Sequence, residues 1–194
     1  MSLQFRNKQR AKNQNKTDQT YRYTDLSRSV IITMEKSKAS IIARLQSGIQ
    51  CTLRPGVWLP GIRNLHSHKE KWKLNSESVN SNLEAVVKAL TEVIQEDKTR
   101  SYWLINKKEV GLLEGFLQVF VYTRAEWLDI IEIKVSGKNA EVWSFSSGFL
   151  PLCVPFACLL NPFLFWIPFH DMKLNKHRIN KIISALHIPV ERSY

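Results

Sequence analysis

Between Val142 and Phe169 the chain carries no charged residue for 28 positions, and four prolines (Pro151, Pro155, Pro162, Pro168) interrupt that run. A stretch this apolar has to leave water, yet it cannot do so as one regular element. Its length would suit a bilayer core of about 30 Å, which takes about 20 apolar helical residues. Each interior proline removes a backbone hydrogen bond, however, and costs a helix about 3 kcal/mol. The freed carbonyls need other groups to satisfy them. Three arrangements remain open: a hairpin that dips into a membrane from one side, an apolar loop folded onto the sheet or onto a partner protein, and a true span. A full crossing would part the strands before the run from the helix after it. A proline-broken hairpin over residues 148–169 is therefore the expected form, with Leu160–Pro162 as its turn. In that form Phe149, Phe156, Phe163, Phe165, Trp166 and Phe169 meet the interfacial zone. Cys153 and Cys158 lie in the same stretch and read as small buried hydrophobes, with palmitoylation as the alternative.

The flanking sequence frames this run in an α+β domain. Residues 1–28 are polar and basic, with too few apolar side chains to bury, and read as a disordered arm. Residues 30–190 read as a single domain. Ile41, Ile42 and Leu45 share a stripe on a helix over residues 34–46, with Thr33 as a possible cap and Gly48 as its stop. Residues 54–72 contain two prolines, two glycines and a basic cluster and read as irregular. Leu83, Val86, Val87, Leu90, Val93 and Ile94 fall on one face of a helix over Ser81–Glu96, where Ser81 and Glu84 have capping-box spacing. Residues 101–108, 116–124, 128–135 and 141–146 are rich in β-branched and aromatic side chains, and the sequence SGKN before Ala140 suits a hairpin turn. Ile179, Ile182, Ile183 and Leu186 mark a last helix over Asn175–Leu186, with Lys173, Lys176, Arg178 and Lys181 on its outer side. The expected architecture is a four-stranded antiparallel meander with helices on one face.

Charge is uneven along the chain. Residues 1–76 carry fifteen Lys and Arg against four Asp and Glu, whereas residues 77–171 carry eight against twelve. A basic arm of this kind meets phosphates, and beside an apolar hairpin the expected partner is a membrane surface with anionic lipids. Nucleic acid is the other candidate, with Tyr21, Tyr23, Trp58 and Trp72 available for stacking. No finger, RNP-like strand or recognition helix supports it. Residues 148–169 also offer a surface for a protein partner. The polar, basic start lacks the apolar core of a secretory signal, and Cys51, Cys153 and Cys158 fit a reducing compartment. The expected location is cytoplasmic, with peripheral or monotopic membrane association. Nothing in the sequence calls for a cofactor. His66 and His68 flank Ser67 in a basic segment and would need further ligands to hold a metal.

Three stretches carry a family likeness. The middle strands FLQVFVYTRAEWLDIIEIKV present Asp129 and Glu132 as acidic positions. EVWSFSSG is a serine-rich strand with Ser144 and Ser146, and DMKLNKHRI opens the last helix through Asp171, Asn175 and Arg178. Over residues 90–186 this order resembles the domain of unknown function 1499 family. The chain departs from that pattern in placing Trp143 and Gly148 where the family carries arginines, and in separating the serines from Asp171 by the apolar run. The resemblance implies the fold and marks Ser144, Ser146, Asp171, Asn175 and Arg178 as binding positions; it implies no activity.

Ser144, Ser146, Ser147, His170 and Asp171 also admit a hydrolase acting on a lipid or ester. No G-x-S-x-G elbow surrounds any of the serines, and nearness in sequence is not triad geometry. Alternating serines are commonly the polar side of a strand, while Asp171 suits a helix cap and Arg178 a structural ion pair. The expectation is a non-enzymatic binding or scaffolding domain.

Overall fold

The computed structural model describes residues 39–169, 171 and 173–193. The expected arm over 1–28, the cap Thr33, Tyr21, Tyr23 and His170 lie outside the described residues. The fold is α+β. In chain order the elements are α1 (Ile41–Leu53), a 3₁₀ turn (Pro55–Val57), α2 (Pro60–His66), β1 (Ser67–Lys73), α3 (Val79–Glu96), β2 (Tyr102–Val110), β3 (Glu114–Tyr122), β4 (Leu128–Ser136), β5 (Asn139–Ser146), α4 (Ala157–Leu160), a second 3₁₀ turn (Asn161–Phe163), α5 (Leu174–Ala185) and β6 (Glu191–Ser193). The sheet has six strands in the order β2-β3-β4-β5-β1-β6, and every pairing is antiparallel.

The expected meander is β2 to β5, and β1 and β6 extend it. Strand β1 falls in the stretch read as irregular. Its lysines at 69, 71 and 73 face water while Glu70 and Trp72 turn inward, a period-2 pattern with a carboxylate in an apolar slot. That carboxylate is tolerated because Arg192, Trp72 and His68 all bond to it. Trp72 is thereby part of the core and is withdrawn from any stacking role.

Helices α3 and α5 cover one side of the sheet, α3 over β2 to β4 and α5 over β5 and β1. The cap of α3 is Ser78, whose hydroxyl accepts the Ser81 N–H, rather than Ser81 itself. The opposite side is covered by α1 together with residues 148–160. Ala39 and Ala43 pack there on Phe120, Tyr122, Ile130 and Phe145, with Leu152 and Ala157.

Helix α1 starts later and runs further than the sequence suggests. Ser40 is its cap, and Gly48 sits within it with open space around it. The stop is Arg54 in the left-handed region at φ 51°, followed by Pro55. Its polarity is inverted. Ala43, Gln46, Ser47 and Gln50 face the protein, while Ile41, Ile42, Leu45, Ile49 and Leu53 face outward.

The reason lies in the apolar run, whose longest helical piece is the four-residue α4. Irregular backbone brought against a core must have its polar groups bonded. Gln46 donates to the carbonyls of Leu152 and Val154, both at 2.9 Å, and accepts the Cys158 N–H at 3.0 Å. Gln50 donates to the Ser147 carbonyl at 2.8 Å. Within the run, Asn161 bonds both the N–H and the carbonyl of Leu150, which closes residues 150–161 into a loop. Gly148 is required at the crossing point, because a Cβ there would fall on the amides of Gln50 and Asn161.

This inversion predicts an unusual pair of stabilities. Gln46→Leu orphans three backbone groups and should cost about 2–4 kcal/mol, whereas Leu45→Ser on the outward stripe should stay within about 0.5 kcal/mol. Urea unfolding of the two variants measures both. A larger loss from Leu45→Ser would mean that α1 faces the other way.

Candidate functional site

Four of the five positions expected from the family likeness, Ser144, Ser146, Asp171 and Asn175, are joined by hydrogen bonds between β5 and the start of α5, and Ser144, Ser146 and Asn175 are buried. Ser144 Oγ donates to Asn175 Oδ1 at 2.6 Å. The Asn175 amide donates to the His66 carbonyl at 2.8 Å, to Asp171 Oδ2 at 2.8 Å and to Ser146 Oγ at 3.3 Å. Asp171 in turn accepts the backbone N–H groups of Lys173 and Asn175 at the first turn of α5. These bonds anchor the first turn of α5 to β5 and to the end of α2. Arg178 lies a turn further on and pairs with Asp129 of β4, both side chains almost fully buried. Ser147 Oγ donates to the Leu128 carbonyl. The hydroxyls named for a hydrolase are all engaged inside the fold, and His170 lies outside the described residues.

His66 belongs to the same neighbourhood and carries no sequence signal beyond its own presence. It is wholly buried at the end of α2, its ring stacks on Phe169 with centroids 4.2 Å apart, and neither ring nitrogen has a hydrogen-bond partner among the described residues. Burial pushes the imidazole below its ordinary value, against the opposing pull of the Asp171 and Asp129 carboxylates. Because the folded protein disfavours the charged form, His66 supports stability fully above the ordinary imidazole pKa of about 6.5 and loses that support as pH falls below it. The expected result is an acid-side fall in stability that His66→Phe, which keeps the stack, removes. Denaturant unfolding between pH 7.5 and pH 4.5, values chosen to bracket about 6.5, checks it. His68 instead bonds Glu70, and no group of three or more metal-ligating side chains gathers among the described residues.

The apolar run and α1 form the second arrangement. Ile41 is 77% exposed, Leu45 72%, Phe156 70% and Phe163 75%, and Ile42, Ile49, Leu159, Leu160 and Trp166 are exposed beside them. An apolar groove of about 440 Å³ runs between Ile42, Leu45 and Ile49 on α1 and Phe156 and Leu159 on the run. The second 3₁₀ turn packs against the first, and Trp58 carries the surface on to Phe165 with ring centroids 5.4 Å apart.

Comparison with family models, curated proteins and solved structures gave no match.

The face is held in this attitude by polar anchors. Glu126 accepts the Ser40 N–H at 2.8 Å and the Ser40 hydroxyl at 2.7 Å at the start of α1. Arg54 at its end grips Glu132 of β4 through two bonds of 3.0 and 2.7 Å. Gln118 and Asn106 extend that network across β3 and β2. With the two glutamines between these anchors, α1 cannot roll its apolar stripe inward without breaking several hydrogen bonds.

Of the six aromatic residues expected at a membrane, Phe156, Phe163 and Trp166 point outward, whereas Phe149, Phe165 and Phe169 are half-buried, Phe169 against His66. Sequence reasoning missed Ile41, Ile42, Leu45 and Ile49 as surface residues because an aliphatic stripe ordinarily faces a core. Among the described residues no helix is long and apolar enough to cross a membrane.

Proposed function

We propose that this protein is a membrane-associated binding domain that docks on the cytosolic face of an anionic membrane through α1 and residues 148–169. The observation that carries the reading is the inverted polarity of α1: a helix clamped at both ends with its aliphatic stripe in water. Such surfaces are uncommon on monomers and mark interaction sites. An amphipathic helix lying in the interface plane, with aromatic residues beside it, has the form of a monotopic anchor.

Charge selects a membrane over a protein partner as the occupant. The 38 residues that precede the described structure lead directly into α1 and carry nine Lys and Arg against three Asp and Glu. On the sheet side shared with α1, the strand register places Lys69 of β1 midway along the strands, exposed and in a solvent-facing pair with Glu141. Arg44 is exposed on α1 itself and makes no ion pair among the described residues. A basic segment in sequence next to an apolar face suits acyl chains beneath anionic head groups.

Co-flotation with vesicles tests it. The protein should float with vesicles containing phosphatidylserine, bind phosphatidylcholine alone more weakly, and keep part of its binding in high salt because the apolar contacts are not screened. A protein that stays with the soluble fraction on both lipids contradicts the reading and leaves the face to a protein partner.

A further inference from the structure

Beside the apolar face lies a second feature that membrane docking alone does not use. Arg63 and Asn64 of α2, Ser67, His68 and Lys69 of β1, and Trp143 of β5 line a cleft of about 520 Å³. The register pairs Lys69 with Trp143 and Ser67 with Phe145, so the cleft opens on the side of the sheet that carries α1. It adjoins the apolar surface through α2, which begins two residues after the exposed Trp58.

The lining has the chemistry of a phosphate site. Arg63 is exposed and makes no ion pair among the described residues. Lys69 meets only Glu141 at 3.1 Å, with both side chains about half exposed. Pairs of that kind contribute at most about 1 kcal/mol, so Lys69 can turn to a stronger anion at little cost. Asn64 and Ser67 add neutral donors. His68 is held on Glu70 and acts as wall rather than ligand. Trp143 leans on Phe145 with ring centroids 4.4 Å apart and floors the cleft. A guanidinium fork and an ammonium lining one cleft match a group with several acceptor oxygens and more than one negative charge.

We infer that this cleft binds the phosphate of an anionic phospholipid, with a terminal phosphate monoester as the preferred head group, while the acyl chains lie toward Trp58, Phe165 and Trp166. A monoester carries about −1.5 to −2 charge and three acceptor oxygens, which the two cations and two neutral donors can meet together; a serine head group offers a phosphodiester with one charge. The inference rests on the membrane reading for the source of the phosphate.

The experiment compares phosphatidic acid with phosphatidylserine in vesicles of equal surface charge, for the whole protein and for Arg63→Gln. The unaltered protein should bind the phosphatidic acid vesicles at least about tenfold more tightly. Arg63→Gln should lose that preference yet keep its binding to phosphatidylserine, with unchanged thermal unfolding as expected for an exposed side chain. Equal binding of the two lipids, or an equal loss on both from Arg63→Gln, overturns the inference while leaving the docking face intact. Glycerol phosphate forms the second arm, read by chemical shifts of Ser67 and Trp143. If it shifts them in a protein that binds no vesicle, the membrane reading falls and the lipid assignment falls with it.

Discussion

Replacing Arg178 with Met should cost the fold about 3–5 kcal/mol, because it leaves the buried Asp129 carboxylate with no counter-charge. The two residues join α5 to β4 across the core. Chemical unfolding should show a lowered midpoint with an unchanged slope if the loss is one of stability alone. Removing both charges, as Arg178→Met with Asp129→Leu, should recover most of the loss, since a buried pair replaced by apolar groups is often neutral or stabilising. A single variant that costs less than about 1 kcal/mol would mean that water reaches the pair, contrary to its burial. The same pair answers how the motif residues act: Arg178 and Asp171 hold α5 in place, and Asn175 ties that helix to Ser144, Ser146 and the His66 carbonyl.

The second large effect is on binding. Phe163 and Trp166 are exposed and their side chains support little of the core, so Phe163→Asp with Trp166→Asp should leave stability nearly unchanged. If both enter the interface, each contributes about 1.5 kcal/mol or more of apolar transfer, and their joint loss should weaken vesicle binding about a hundredfold or more. The contrast between intact stability and lost binding is what identifies a docking surface. Unfolding by the double change would place these side chains in a core instead.

Periodicity made much of this fold legible. Helices α3 and α5 carry a 3.6-residue pattern because each has one apolar side against the sheet, whereas β2 to β5 were legible from their β-branched and aromatic content, β3 and β4 being buried over most of their length on both sides. The patterns failed where a distant partner decides the outcome. Glu70 hid β1, since a carboxylate in an inward slot is tolerable only once Arg192 reaches it from 122 residues away. Gly48 read as a stop, but its neighbours Gln46 and Gln50 are fastened to the apolar run, and the helix continues past it. Ser144, Ser146, Asp171, Asn175 and Arg178 were grouped in the sequence only through the resemblance to a family, since the serines stand about 30 residues from the helix entry they bond. His66 and the two glutamines were not, for nothing local distinguishes a polar side chain that serves a remote backbone from one that faces water.

Depth measurement on the bilayer tests the central claim most directly. Single probes at Leu45, at Phe163 and at Leu112, in a background with Cys51 and Cys153 replaced by Ser, report which surface enters the lipid. Leu112 is the informative control: it is 99% exposed at the tip of the β2–β3 hairpin, as apolar as the docking face but at the other end of the strands. Docking through α1 and residues 148–169 predicts that the probes at 45 and 163 lie about 5–10 Å below the head groups while the probe at 112 stays in water. Immersion of the probe at 112 with those at 45 and 163 left in water would contradict it.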